Sequence, residues 1–159
     1  MAVSRGTATR VVVNDRLDVA LACGADGVHL RGDSFAVADA RRLAPEGFLV
    51  GRSVHTPEEA VAGGGADYLI AGTVFPSASK PTGRAFLNVS GLRAIVAAVQ
   101  VPVLAIGGIT EAGAGRVAAA GAAGVAAIGL FTAGRQGNGT LRETVRALHV
   151  AFDSPRAAS

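Results

Sequence analysis

Short apolar, β-branched runs recur along the chain at residues 11–13, 27–30, 48–50, 68–70, 103–106 and 125–128. Each is near-continuous in apolarity rather than alternating, the pattern of strands buried on both faces of a parallel sheet. Between them lie helical patterns over residues 16–23, 36–43, 57–63, 91–99, 111–120 and 141–152. Strand, loop and helix repeat six times, which predicts an α/β fold joined by right-handed crossovers. One domain is expected, with an irregular start over residues 1–10, β/α units over 11–152 and a disordered tail over 153–159.

An internal echo supports the count. Residues 22–28, 64–68 and 120–125 share one pattern: a helix end, a glycine, a small residue and then a strand. Glycine there allows a left-handed helix cap and a tight turn. These glycines mark a repeated structural unit and carry no chemistry.

The segments that follow the strands change character. Asn14 and Asp15 close the first run, the sequence Arg31-Gly32-Asp33-Ser34 the second, and Arg52-Ser53-Val54-His55 the third. A loop holding Ser77, Ser79 and Lys80 follows the fourth, and Gly107-Gly108-Ile109-Thr110 the fifth. Polar groups therefore collect at strand C-terminal ends, where parallel α/β folds build their sites. Ser53 and His55 are two apart and face one side beyond the third strand. Thr56, Pro57 and Glu59 make a capping box for the next helix. A helix N-terminus disfavours an imidazolium, so His55 is a candidate neutral base. Gly107 and Gly108 before an N-cap at Thr110, with Gly129 at the following strand end, offer backbone N–H groups to a phosphate. His29 lies inside a strand pattern and reads as a packed core residue.

Composition narrows the class. Half of the 159 residues are apolar but only 4% are aromatic, so the core is built from Ala, Val, Leu and Ile. The net charge is +3, yet 14 of the 15 basic residues are scattered arginines and no basic stripe alternates with aromatics, so no nucleic acid is expected as partner. Lys80 is the one lysine. No run reaches the roughly 18 apolar residues of a membrane span. Cys23 has no second cysteine to pair with, and a cytoplasmic protein is expected.

Four stretches carry a specific resemblance. Val13-Asn14-Asp15-Arg16-Leu17-Asp18-Val19-Ala20, Ala25-Asp26-Gly27-Val28-His29-Leu30, Val74-Phe75-Pro76-Ser77-Ala78-Ser79-Lys80-Pro81 and Ala105-Ile106-Gly107-Gly108-Ile109 together resemble the thiamine phosphate synthase superfamily. The resemblance runs in order over residues 10–131 and implies a TIM-type (β/α) barrel. Its members are the synthase, which joins a hydroxymethylpyrimidine diphosphate to a thiazole phosphate, and the related thiazole tautomerase.

The synthase implies Mg²⁺ held by two aspartates. Asp15 matches one; at the other, Ser34 stands in the aspartate position and Asp33 falls one place early. Ser53, Ser77, Ser79 and Lys80 resemble the synthase's diphosphate-binding set. The segment Gly51 to His55 and the Gly32-Asp33-Ser34-Phe35 loop look more like the tautomerase, which uses no metal and whose matching histidine is the acid/base. The reading is therefore a tautomerase-like isomerase, with no cofactor and a thiazole phosphate as its small-molecule partner. His55 carries the proton, typically a 10²–10⁴-fold effect. Gly107, Gly108 and Gly129 hold the phosphate, and Asn14, Arg52 or Lys80 meets the substrate carboxylate. Alternation with Ser53 nevertheless aims Arg52 the other way.

A full barrel has eight units in about 200 residues or more. Six are counted here, and the family's first two would precede Val11. An open sheet exposes two apolar edges, so the chain forms a homo-oligomer, fills the gap with a terminus, or is unstable. The alternatives are the Mg²⁺-dependent synthase and a non-catalytic, truncated barrel.

Overall fold

In the computed structural model, which describes residues 4, 6–76, 86–133 and 140–153, the six apolar runs form one parallel sheet. The chain runs β1 (Val12–Asn14), α1 (Leu17–Ala22), β2 (Gly27–Leu30), α2 (Val37–Leu43), β3 (Leu49–Val54), α3 (Pro57–Ala62) and β4 (Tyr68–Gly72). It continues through α4 (Asn88–Ala98), β5 (Val103–Ile106), α5 (Glu111–Ala119), β6 (Gly124–Ala126), α6 (Gly129–Ala133) and α7 (Leu141–Asp153). The strand order is β1-β2-β3-β4-β5-β6, with every pair parallel.

That order decides the architecture. Each crossover steps to the next strand in the same direction and with the same hand, so the helices stack on one face and the sheet curls into a half-barrel. The helix-covered face is dry: Val28, Leu30, Val50, Leu69, Ala71 and Ala105 are fully buried, as are Leu92 and Ile95 of α4. Each large apolar side chain buried this way contributes roughly 1.5–3 kcal/mol. The concave face differs from the expectation of burial on both sides. Along β4 and β5 burial alternates, with Tyr68, Ile70, Leu104 and Ile106 only half-buried. Six units curl but do not close, so nothing in the described chain covers the inner ends of these side chains.

Two boundaries depart from the apolar pattern. The third strand continues through Gly51, Arg52, Ser53 and Val54, because Gly51 and Arg52 pair with both β2 and β4 and Ser53 and Val54 pair with β4. Ladder hydrogen bonds thus override its weak strand propensity. The sixth strand is shorter than its apolar run; Ile128 lies beyond it and is 79% exposed. The short helix α6 had no counterpart in the periodicity. No helix among the described residues is long and apolar enough to cross a membrane.

The repeated Gly-Ala-Asp turn has a structural job. Asp26 accepts a hydrogen bond from the Val11 N–H at 2.7 Å, and Asp67 accepts one from the Val50 N–H at 2.7 Å. Each aspartate also meets an arginine, Arg10 at 3.2 Å and Arg41 at 2.5 Å. The third copy has Ala123 instead and keeps only the backbone bond to Val103, at 2.8 Å. These carboxylates pin strand N-terminal ends, opposite the side that carries polar chemistry. Asp67→Ala is expected to lower unfolding stability by about 1–2 kcal/mol, measured by urea denaturation. Ala123→Ser, where no side-chain bond is lost, is expected to change it by less than about 0.5 kcal/mol.

Candidate active site

The strand C-terminal ends gather most of the polar residues that the sequence singles out. Register places Asn14 beside His29, His29 beside Gly51 and Gly51 beside Tyr68. Alternation sets these four, with Ser53, on the concave face. Gly51 is essential to that rung: a Cβ there would lie 2.2 Å from Cζ of the Tyr68 ring. The gap lets Tyr68 lie across β3 and stack on His29, ring centroids 5.6 Å apart and 24° between planes. His29 is 7% exposed, with Nε2 2.9 Å from the Ser53 hydroxyl and Nδ1 3.3 Å from the Tyr68 hydroxyl. It is therefore no plain core histidine, as the apolar run around it implied, but a buried ring bonded to a candidate site serine.

Asp15 turns at the end of β1 with φ of 62°, a left-handed conformation that aspartate tolerates. Its carboxylate accepts a short hydrogen bond from the Ser34 hydroxyl, which itself accepts from the Arg31 N–H at 2.9 Å. The Ser34 bond holds the Asp15 carboxyl below the usual carboxylate range, against partial desolvation. Burial pushes the His29 imidazole below its ordinary 6.5, opposed by the Asp15 charge, and raises the Tyr68 hydroxyl.

A groove of about 380 Å³ lies alongside, lined by Arg31, Gly32, Asp33, Ser53, His55 and Glu59. His55 is 57% exposed, and Glu59 accepts both its backbone N–H at 2.7 Å and a contact from its Nδ1 at 3.1 Å. Thr56 caps α3 by accepting the Glu59 N–H, as the capping box requires, but Glu59 reaches back one residue further than that motif does. Arg52 donates to the carbonyls of Phe35 and Gly32, each at 2.9 Å, on the side of β3 opposite Ser53. Its guanidinium thus braces the β2–α2 loop rather than meeting a ligand on the concave face.

Gly107 and Gly108 have φ of 97° and 64°, and Cβ atoms there would press on Thr73 and on the Phe75 and Pro76 carbonyls at about 2.4 Å. Close approach of the β4–α4 segment alone requires these glycines. The turn still leads into α5, whose cap Thr110 accepts the Gly113 N–H at 3.1 Å. Gly129 opens α6 rather than ending β6. Ser77, Ser79 and Lys80 lie outside the described residues.

The family described as thiamine monophosphate synthase matches residues 1–131. The chain belongs to that family. A thiamine-phosphate synthase of Methanoregula boonei is 54% identical over 112 residues, covering 69% of this chain and 52% of that protein. One from Methanospirillum hungatei is 50% identical over 112 residues, with 69% and 54% covered. The solved structure of a thiamine phosphate pyrophosphorylase from Pyrococcus furiosus superposes with a TM-score of 0.78 at 35% identity, covering 96% of this chain and 71% of that one. The chain spans about half the length of the curated relatives it matches.

These relatives correct the tautomerase reading. At 54% and 50% identity their name is the synthase's, so the likeness of residues 51–55 to the isomerase does not select that branch. In the structure the His55 imidazole lines the groove together with Ser53 and contacts the Glu59 carboxylate.

The thiamine monophosphate synthase resemblance implies a magnesium site of two aspartates, and the residues present do not form one. Asp15 is engaged by the Ser34 hydroxyl, and Asp33, 71% exposed, pairs with Arg31 at 2.6 Å. Among the described residues no three His, Cys, Asp or Glu side chains cluster as metal ligands. One carboxylate and a hydroxyl are a poor set for a hard octahedral cation.

Because the fold disfavours the charged His29, the unfolded chain binds that proton more readily. Stability from this group is complete above pH about 6.5 and falls as pH drops through the lower folded value. Thermal midpoints followed from pH 8 to pH 5 are expected to decline in the parent and to decline less in His29→Gln. Equal slopes in both would remove the effect.

Proposed function

We propose that this chain carries the strand-end site of a thiamine-phosphate synthase. In that reaction a thiazole-phosphate nitrogen displaces diphosphate from a hydroxymethylpyrimidine diphosphate. The observation that supports the reading is 54% identity to a named synthase over 112 residues, with Asn14 and Ser53 set together on the concave face. The thiazole nitrogen forms the new C–N bond with its lone pair. The pyrimidine methylene–oxygen bond breaks, and the diphosphate leaves with that electron pair.

The developing charge falls on the leaving diphosphate, so donors fixed before the step stabilise it most. Asn14 and Ser53 supply such donors, joined in this reading by Ser77, Ser79 and Lys80. The Gly107-Gly108 turn and the N-terminus of α5 receive the thiazole's phosphate. The half-barrel's apolar concave residues, Ile70 and Leu104 among them, provide a surface for flat heterocycles. His55 is placed at the groove's edge and carries no proton in this scheme. The family resemblance implies magnesium at the diphosphate, but the Asp15–Ser34 pair gives no site from which to derive such a step.

That pairing favours a second reading, a half-barrel that binds these substrates without turning them over. Diphosphate release from the two substrates separates the two. For a synthase, Ser53→Ala is expected to lower kcat/KM on the order of 10²-fold, while release at the parental rate would exclude Ser53 from the site. No release with tight substrate binding would establish the second reading. Ser34→Asp rebuilds the two-carboxylate set, and Mg²⁺ is expected to raise its thermal midpoint while leaving the parent's unchanged.

A further inference from the structure

We propose that Tyr68 and His29 form a positioning relay that fixes the direction in which Ser53 presents its hydroxyl proton, turning it into a donor for a phosphate oxygen on the concave face. The proposal rests on the synthase reading for the identity of that anion. It does not rest on it for the relay itself.

A serine hydroxyl is both donor and acceptor, and its neighbours decide which role is turned outward. Ser53 Oγ lies 2.9 Å from His29 Nε2, and Tyr68 Oη lies 3.3 Å from His29 Nδ1. Two arrangements satisfy these contacts. In one, the Tyr68 hydroxyl donates to Nδ1, Nε2–H donates to Ser53 Oγ, and the Ser53 proton points at the ligand. In the other, Ser53 donates to Nε2, Nδ1–H donates to Tyr68, and Ser53 turns lone pairs outward. Only the first welcomes an anion.

The surroundings favour a neutral ring whose tautomer is set by its partners. His29 is 7% exposed, Asp15 is the charged group acting on it from the end of β1, and Asp67 lies beside Tyr68. Tyr68 reaches His29 only because Gly51 has no side chain, so one glycine in β3 sets up the relay between its two neighbouring strands. His29 touches the reacting atoms in neither arrangement. It is a positioning residue.

Nitrogen-15 NMR of the imidazole, with and without inorganic pyrophosphate, reads the relay directly. The Nε2–H tautomer is expected in the parent, and Ser53→Ala, which removes its acceptor and leaves the Tyr68 oxygen to accept from Nδ1–H, is expected to shift it toward Nδ1–H. Pyrophosphate titrations supply the second readout. In His29→Gln the side-chain amide sits where Nε2 was and can still donate to Ser53, whereas His29→Asn places its amide near Nδ1. Binding is expected to weaken about tenfold in His29→Asn and in Ser53→Ala, and about twofold or less in His29→Gln. Far-UV circular dichroism checks that each variant is folded. An Nδ1–H tautomer in the parent, or equal weakening in the Gln and Asn variants at equal fold content, would overturn the relay. A parent that does not bind pyrophosphate would remove the synthase reading, yet an Nε2–H tautomer that switches in Ser53→Ala would still uphold the relay.

Discussion

Pairing of each strand with its immediate successor is the constraint on which the rest of this molecule depends. Five parallel pairings in sequence order leave no reversal point, so a switch-point crevice of the doubly wound kind cannot form. The helices are confined to the outer face, and every strand C-terminal end opens onto one concave surface. The same ladder sets the registers that align Asn14, His29, Gly51 and Tyr68 across four strands. A one-residue slip in β3 would send Ser53 to the helix side and Arg52 to the site.

Electrostatics at the strand ends follows from which groups are satisfied locally. Asp15 is held ionised by a serine hydroxyl and a backbone turn, while Asp33 and Arg31 satisfy one another at the surface. His29 loses charge through burial and gains two hydroxyl partners. Among the described residues the strand ends thus set the Asp15 charge near a neutral, hydroxyl-bonded imidazole. Ser34 is the residue that makes the difference, meeting the Asp15 carboxylate with a hydroxyl where a second carboxylate would make a cation site.

Half-barrel geometry also explains the uneven burial of an apolar sequence. Leu69 and Ala71 are sealed by α3 and α4, whereas Tyr68 and Ile70, next to them in sequence, look into an open bowl. In a closed barrel both sets would be dry. Here the inner set stays half-buried, and among the described residues β1 and β6 are the outermost strands of the sheet.

The sequence by itself determined the α/β class, the six units, the caps at Thr56 and Thr110, and the gathering of polar residues after strands. These are local properties, set by hydrophobic period, β-branching and turn chemistry within a few residues. It also carried the family likeness, although the Gly51-to-His55 motif drew the reading toward the wrong branch, because a short motif cannot outweigh identity spread over a hundred positions. Only the tertiary structure decided that β3 runs on to Val54, that Arg52 braces a loop, and that the buried His29 is bonded to Ser53. Those outcomes depend on partners 17 to 39 positions away: Ser53 and Tyr68 reach His29 only through strand register, and register is a property of the assembled sheet.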